Sequence, residues 1–584
     1  MNSAGIKNEG WLYWLAFLLA LSLRFIQLGA SPLTDSEATL ALQALGIARG
    51  GSPLLAPHPA YILFTSVSFA IAESTNLLAR FIPALAGSAL VFAPGYFREK
   101  TKPLAAVILA FLIAFDPGLV ALSRQANGTI LAVTFLTFAV AMWFSQQKIP
   151  AGLFAGLALL SGPSLWAGIL SLALVWIFLQ GSRSSAKETL NPIESQEPAH
   201  SSLPVQVTNS DSRPFAAALI ASFLLAGTML FIVPSGLSAA LASIPVYFSG
   251  WITASLTTPS RILITFLGYE PLGILLAVFA IIRGLRTKGR KLIRLALWLG
   301  ISLLLAVFYR QPGELVWAIL PLLTLASLEL SYAFDLHREE YVEVGVVVLA
   351  ILILLIYIWF TISNLALNPF NQFSAVLPII GQVQNPQLVV VVSALAILVV
   401  CITLVALGWS PRIARLGTTF SLTAVIGLYS VGAAWGASGL RNPNGFELWT
   451  SDSKPLQADL LLASVDDLSE FSLGHPQSQP VTIMGISSPA LEWTLRNHQV
   501  ETVTALDPQV APPIVITPVM NDLGLPSAYR GQDFTWRTQP QWQGVQTIDW
   551  LKWLVFRQLP TENETIILWA RDDLFPDARP SGQP

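Results

Sequence analysis

The chain has 584 residues, of which 54% are hydrophobic and only 11% charged, where a soluble domain carries roughly 25% charged residues. That composition excludes a soluble globular enzyme and places the chain in a membrane; with a net charge of −2 and no basic face, it also excludes a nucleic-acid partner. Cys401 is the single cysteine and lies inside an apolar run, so an intrachain disulfide is excluded and a buried thiol is expected.

The first apolar segment, 11–28, follows a short polar start containing Lys7. Arg24 interrupts it and no small-residue cleavage site follows, so it is predicted to be an uncleaved first helix that exits outside. Further runs of spanning length occur near 80–97, 103–122, 128–146, 151–180, 214–234, 263–282, 295–309, 313–333, 341–361, 387–408 and 413–437. Gly162 and Pro163 split the 151–180 run into two short helices, which makes about 13 transmembrane helices. This count puts the basic stretches 98–102, Lys148, 283–294, 337–339 and 410–415 on one side, the cytoplasmic one. The segment 59–74 would invert every later loop if it crossed, so it is expected as a short helix or re-entrant piece. No glycine pair is singled out as a helix-packing motif.

Four parts follow: a transmembrane module over 1–180 with a first outer loop at 29–79, a flexible cytoplasmic linker at 181–213, further transmembrane helices over 214–440, and a soluble tail at 441–584. The linker is rich in Ser, Pro and charge without periodicity. The tail carries 17 acidic and 9 basic residues, against 17 and 23 in the rest, and mixes strand-like stretches ("PVTIMG", "PIVITP") with helical ones ("PALEWTLRNH", "TIDWLKWLVFRQL"). It is predicted to form an extracytoplasmic α/β domain. The fold class is therefore an α-helical polytopic membrane protein with a C-terminal α/β domain.

Asp35 and Glu37 open the stretch that follows the first span, and the Leu40, Leu42, Leu45 and Ile47 spacing after them suits a helix lying along the membrane interface. Acids in a first helical turn are favoured by the helix dipole, so a solvated interfacial helix is one reading. The other is a catalytic site, because Arg24, His58, Arg80 and Arg124 fall near the same outer face and would together make an electropositive pocket. Arg24 and its companions could equally snorkel to the interface. Asp116 and Glu270 are the charges placed ambiguously within spans. Arg310 and Glu314, around a Pro-Gly turn, either pair with each other or offer Arg310 to a lipid phosphate. The histidines (His58, His200, His337, His475, His498) show no metal-ligand spacing. Trp449, Trp536 and Trp550 read as core, and no phosphate-binding glycine-rich loop is present.

Arg24, "TDSEA", "HPA", "ARFIPALAG" and "SRQANG" occur in the order seen in membrane glycosyltransferases of the GT-C superfamily, and the set resembles the prokaryotic relatives of protein O-mannosyltransferases and of aminoarabinose transferase. The resemblance covers roughly the first 180 residues. It implies transfer of a sugar from a polyprenyl-phosphate donor to an extracytoplasmic acceptor with inversion. Asp35 or Glu37 would be the catalytic general base, with Arg24, His58, Arg80, Arg124 and Asn127 binding substrate; Arg310 lies outside the resemblance and is expected only as the lipid-phosphate contact named above. No cofactor is implied for certain; a divalent metal stays open. The expected location is the plasma (inner) membrane, multi-pass, N-terminus cytoplasmic. The sequence departs from the pattern where Ser36 separates the two acids, Ala60 replaces a proline and Asn127 an acid. A lipid-linked-sugar transporter or flippase-associated component, or a non-catalytic scaffold, are the alternatives.

Overall fold

The computed structural model describes residues 9–188, 212–253, 255, 257–334, 340–367, 375–377, 381–383, 386–440, 445–450 and 452–575. Of the linker expected over 181–213, residues 181–188 instead continue the helix that begins at Ser164 and Arg213 opens the next one; residues 189–211, with His200, the basic turn at 337–339 with His337, and most of the stretch after Asn364 lie outside the described residues.

The helices, in chain order, are α1 Gly10–Phe25, α2 Asp35–Ala48, α3 Pro59–Ile71, α4 Asn76–Ala89, α5 Pro103–Phe115, α6 Pro117–Ser123, α7 Thr129–Phe144, α8 Lys148–Leu159, α9 Ser164–Glu188, α10 Arg213–Gly227, α11 Ser235–Ser249, α12 Pro259–Tyr269, α13 Pro271–Arg286, α14 Arg290–Tyr309, α15 Val316–Ala333, α16 Tyr341–Leu367, α17 Pro386–Gly408 and α18 Pro411–Ala437. Among the described residues six helical stretches are long and apolar enough to cross a membrane, or up to eight if two bent pairs each count as one span, and several shorter apolar helices accompany them. The chain is thus a polytopic helical membrane protein. Gly162, at φ +113°, ends the connection between α8 and α9 where the 151–180 run was expected to divide.

The run expected over 103–122 is broken at Asp116 between α5 and α6 with a 55° bend, and three further features depart from the sequence expectation. The 263–282 run is not one straight helix: it breaks between α12 and α13 at Glu270 with an 86° bend, because Pro271 lacks an amide hydrogen and disfavours helical geometry in the residue before it. Helix α11 was not foreseen, its apolar positions being diluted by Ser and Gly and interrupted by Pro245. Gly152 and Gly156 of α8 do form a close-packing face: a Cβ on Gly152 would lie 2.3 Å from the Phe215 carbonyl oxygen, and one on Gly156 2.0 Å from Ser222 Oγ on α10. Helices in lipid gain little from apolar burial against one another, so close backbone approach through small residues carries the packing.

The tail folds into a six-stranded sheet with helices. Its strands are β1 Lys454–Pro455, β2 Val481–Met484, β3 Val500–Val503, β4 Ile514–Pro518, β5 Tyr529–Pro540 and β6 Thr561–Arg571, in the order β1-β5-β6-β4-β2-β3. β2 pairs in parallel with β3 and β4, while β6 runs antiparallel between β4 and β5. Helices α19 Ala458–Leu473, α20 Pro489–Thr494 and α21 Thr547–Phe556 complete it. Both expected strands and both expected helices are present; β5 and β6, long and rich in polar residues, were not anticipated. Trp493, Trp536 and Trp553 are almost wholly buried.

This domain is seated on α2, α3 and α4. Trp493 Nε1 donates to Asn76 Oδ1 at 2.8 Å, and its ring lies 5.7 Å from that of Phe69. Arg496 donates twice to the Ser74 carbonyl, at 2.7 and 3.0 Å. Helix α2 is therefore not a solvated interfacial helix. Leu40 and Leu45 are buried, because its apolar face is covered by α3 and α20 rather than by lipid.

Candidate active site

Asp35 and Glu37 occupy the first turn of α2, but they face different ways and do different things. Thr34 is the N-cap and Glu37 stands at the third helical position, a capping box in which the Glu37 carboxylate accepts from the Thr34 amide at 3.0 Å. The same carboxylate takes a forked ion pair from Arg80 of α4, Nε to Oε1 at 2.9 Å and Nη2 to Oε2 at 2.7 Å. The Ala126 amide adds a further bond at 2.8 Å. Both side chains of the pair are only 6% exposed. Burial alone would push the Glu37 carboxyl up; the Arg80 charge, its hydrogen bonds and the Thr34 and Ala126 amides outweigh it and hold the group below the usual glutamate range. With its lone pairs engaged by donors, Glu37 fastens the loop to α4 and to the turn before α7.

Asp35 points into the C-terminal domain. Its Oδ1 accepts from Ser488 Oγ at 2.7 Å and the Ala490 amide at 3.1 Å, and its Oδ2 from Arg537 Nη2 at 2.5 Å. Ser488 is the N-cap of α20. Arg537 follows an irregularity in the β5–β6 ladder, the kind of local bulge that re-aims a side chain. Asp35 thus clasps the domain to α2.

The expected electropositive pocket is not formed by Arg24, Arg80 and Arg124. Arg24 donates to the Ile113 and Ala114 carbonyls at the end of α5, to Ala20 O, and to Ser123 Oγ at 3.1 Å. Arg124 donates to the carbonyls of Leu23, Arg24, Ile26 and Gln27 at the end of α1. Arg80, besides Glu37, holds the carbonyls of Leu28, Ser31 and Pro32. The physical reason is that the last carbonyls of a helix have no partner of their own, and next to hydrocarbon an unpaired carbonyl costs several kcal/mol. The motifs come together as one network of helix caps.

Beside this network lies a cavity of about 420 Å³. Its walls include Thr34, Ser36, Glu37, Thr39, His58, Gln125, Asn127, Thr129, Gln311, Trp449, Thr450 and Asp452. Asp452 comes from the segment entering the domain, and its Oδ2 accepts from the Ser36 amide at 3.2 Å at the exposed start of α2. Asn127 lines the wall, its Oδ1 accepting from the Thr129 amide at 3.0 Å to begin α7. A second cavity of about 300 Å³ adjoins across His58 and Gln311 and contains Ser164, Tyr309 and Glu314. His58 is half-buried between them; burial pushes its imidazole down to about 4, so the ring is neutral near pH 7. The Ser161 backbone lies within reach of the ring, and Cβ atoms on Gly128 or Gly162 would approach its Nδ1 to 2.8 or 2.5 Å, so both positions leave room for the ring.

Arg310 and Glu314 do not pair. Arg310 is exposed in the left-handed cap of α14, while Glu314 is buried and accepts from Ser164 Oγ at 3.0 Å. On the far side of Asp452 a narrow cleft holds Arg261, Glu447 and Lys454. Arg261 donates to the Thr450 carbonyl at 2.7 Å and lies 4.0 Å over the Trp542 ring. Burial pulls the Lys454 ammonium below its ordinary range. Asp452, Arg261 and Lys454 were missed because none belongs to a motif: Arg261 sits in the first turn of α12, Asp452 two residues before β1, and Lys454 at its start; for Arg261, a cation at the head of an apolar run was the signal available. Among the described residues no three His, Cys, Asp or Glu side chains gather as a metal site.

No family model and no curated protein matches the chain. Among solved structures it is similar to an ArnT from Cupriavidus metallidurans bound to undecaprenyl phosphate, with a TM-score of 0.48, 14% identity and coverage of 87% of this chain and 93% of that one. The apo state of the same protein gives the same values. An oligosaccharyltransferase from Archaeoglobus fulgidus tethered with an acceptor peptide overlaps at a TM-score of 0.43 and 14% identity, over 85% of this chain and 64% of that one. Overlaps of that size establish neither a family nor an activity for this chain.

Proposed function

We propose that the protein is a membrane glycosyltransferase that moves a sugar from a polyprenyl-phosphate donor to an extracytoplasmic acceptor. The observation that carries this reading is the cavity of about 420 Å³ beside Asp452, large enough for a sugar and lined by several polar side chains, with two cations, Arg261 and Lys454, across Asp452 in a narrow cleft of about 30 Å³ that would have to widen to take a phosphate. The ordered GT-C-like motifs of the first 180 residues support it.

In this mechanism Asp452 takes the proton of the acceptor hydroxyl, whose oxygen attacks the anomeric carbon as the bond from that carbon to the phosphate oxygen breaks. The leaving polyprenyl phosphate carries the electron pair and is stabilised by Arg261 and Lys454. A single displacement inverts the anomeric centre. Asp35 and Glu37 position the first loop and the domain around the cavity, and Asn127 and His58 border the sugar. The N-terminus is cytoplasmic and the α/β domain extracytoplasmic in this reading, as the basic 283–294 turn argues.

The test is to purify the protein in detergent and offer polyprenyl-phosphate sugars with and without hydroxyl acceptors. Sugar transfer or release is expected with at least one donor, and Asp452→Asn is expected to reduce it by about 10²–10⁴-fold, the usual contribution of a general base, with donor binding retained. Full activity in Asp452→Asn removes that residue from the mechanism; inertness toward the whole panel overturns the reading.

A further inference from the structure

Asp116 and Glu270 belong to neither the cavity nor the domain interface, yet they are the acids most deeply set among the helices. Each is 3% exposed. Each stands at the break of a bent helix pair: Asp116 between α5 and α6, bent by 55°, and Glu270 between α12 and α13, bent by 86°. The two side chains touch each other within hydrogen-bonding reach. Asp116 Oδ1 accepts from the Leu119 amide at 2.7 Å. The Gly118 amide also lies within reach of both carboxyls, while Asp116 Oδ2 and Glu270 Oε1 are buried without a hydrogen-bond partner of their own among the described residues. Two acceptors in contact, both closed off from water, lack one thing: a hydrogen.

The surrounding charges give the count. Arg24 is the cation that faces Asp116, and its donors go to carbonyls and to Ser123 rather than to the acid. It offsets one negative charge through space. Next to Glu270, Tyr269 belongs to a separate group: its hydroxyl bonds Glu447, and Arg557 lies 4.6 Å over its ring, so the Arg557 charge is balanced by Glu447 at 3.8 Å. One cation against two carboxyls leaves a second negative charge uncompensated, and an uncompensated charge at such a place is costly enough that buried like-charged carboxyls share a proton instead.

We infer that Asp116 and Glu270 form a proton-binding site that holds one proton between them and fastens the two broken helix pairs together. Polar groups at breaks in membrane helices are where small cations are bound, and here the two carboxyls already in contact suit the smallest of them. Gly118, two residues after Asp116, packs directly on a wall of the cavity: a Cβ there would lie 2.6 Å from the Trp449 ring, which lines it. Loss of the proton sets two carboxylates against each other at that joint, under Trp449.

The experiment is infrared spectroscopy of the purified full-length protein at neutral pH. A carboxylic acid C=O band, distinct from the carboxylate bands, is expected in the wild type. It shifts when aspartate or glutamate is supplied with ¹³C in the side-chain carboxyl, and it disappears in Glu270→Gln and in Asp116→Asn, either of which can keep a hydrogen bond to the remaining acid. Glu314 is a further buried carboxyl that can carry a band of its own, so the isotope arm and the pair variants are run in Glu314→Gln; the isotope arm keeps both acids of the pair, so poor folding of a pair variant does not leave the question open. A Glu314→Gln spectrum in which no carboxylic acid band responds to either label, or a band that survives in both pair variants, overturns the inference. The transferase reading does not enter: an inactive protein shows the same band if the proton is there.

Discussion

Removing the Glu37 charge while keeping its shape tests the reading of the first loop most directly. In Glu37→Gln the amide can still accept from Thr34 or Ala126, but Arg80 is left as an unpaired cation in a place where both partners are 6% exposed. Breaking a buried pair from one side costs about 3–5 kcal/mol. For a cooperative unit of roughly 150–250 residues each kcal/mol shifts Tm by about 2–4 °C, so a fall on the order of 10 °C is expected in detergent. Arg80→Gln should cost a similar amount, and the double variant distinctly less than the sum, since the stranded charge is then gone. The pH dependence follows from the depressed Glu37 value: the pair's contribution is complete above the usual glutamate range and is lost only as pH falls through the lower folded-state value. The gap between wild type and Glu37→Gln should therefore be constant around neutrality and close in acid. A Tm unchanged within about 2 °C, or additive single and double variants, would refute the assignment of Glu37 as the fastener of the loop.

Arg261→Gln and Lys454→Gln should each weaken donor binding, read as a rise in KM or Kd for the lipid-linked sugar, with a smaller effect on a donor lacking the phosphate; equal loss for both ligands counts against a phosphate contact. Arg537→Ala opens the Asp35 clasp, which is partly solvated and contributes up to about 1 kcal/mol, so limited proteolysis after residue 440 should speed up while the membrane helices melt as before. Orientation is checked with Cys401 replaced and single cysteines at the exposed Thr287 and Gln532: an impermeant thiol reagent is expected to label Gln532→Cys in intact cells and Thr287→Cys only after lysis, and labelling of both from outside reverses the scheme.

Composition and the spacing of apolar runs were sufficient to identify a polytopic helical protein with a folded α/β tail, because hydrocarbon demands long apolar helices and a return to polar alternation demands a water-facing core. Even the division at Gly162 and Pro163 was readable, since those two residues act on their own backbone. The roles of the charged residues were not readable. Asp35 and Glu37 are two positions apart on one helix, yet one meets Arg537 and the other Arg80, partners 502 and 43 residues away in the chain. Arg24 and Arg124 look like ligands for an anion in the sequence, and become helix caps only because the carbonyl ends of α5 and α1 are brought to them. Asp452, Arg261 and Lys454 carry no local pattern and acquire a shared site only when the tail folds back onto the first loop. Local physics acts through neighbouring residues and is written in the sequence; which charge meets which is decided by tertiary packing, where burial makes an unpaired group too costly to leave.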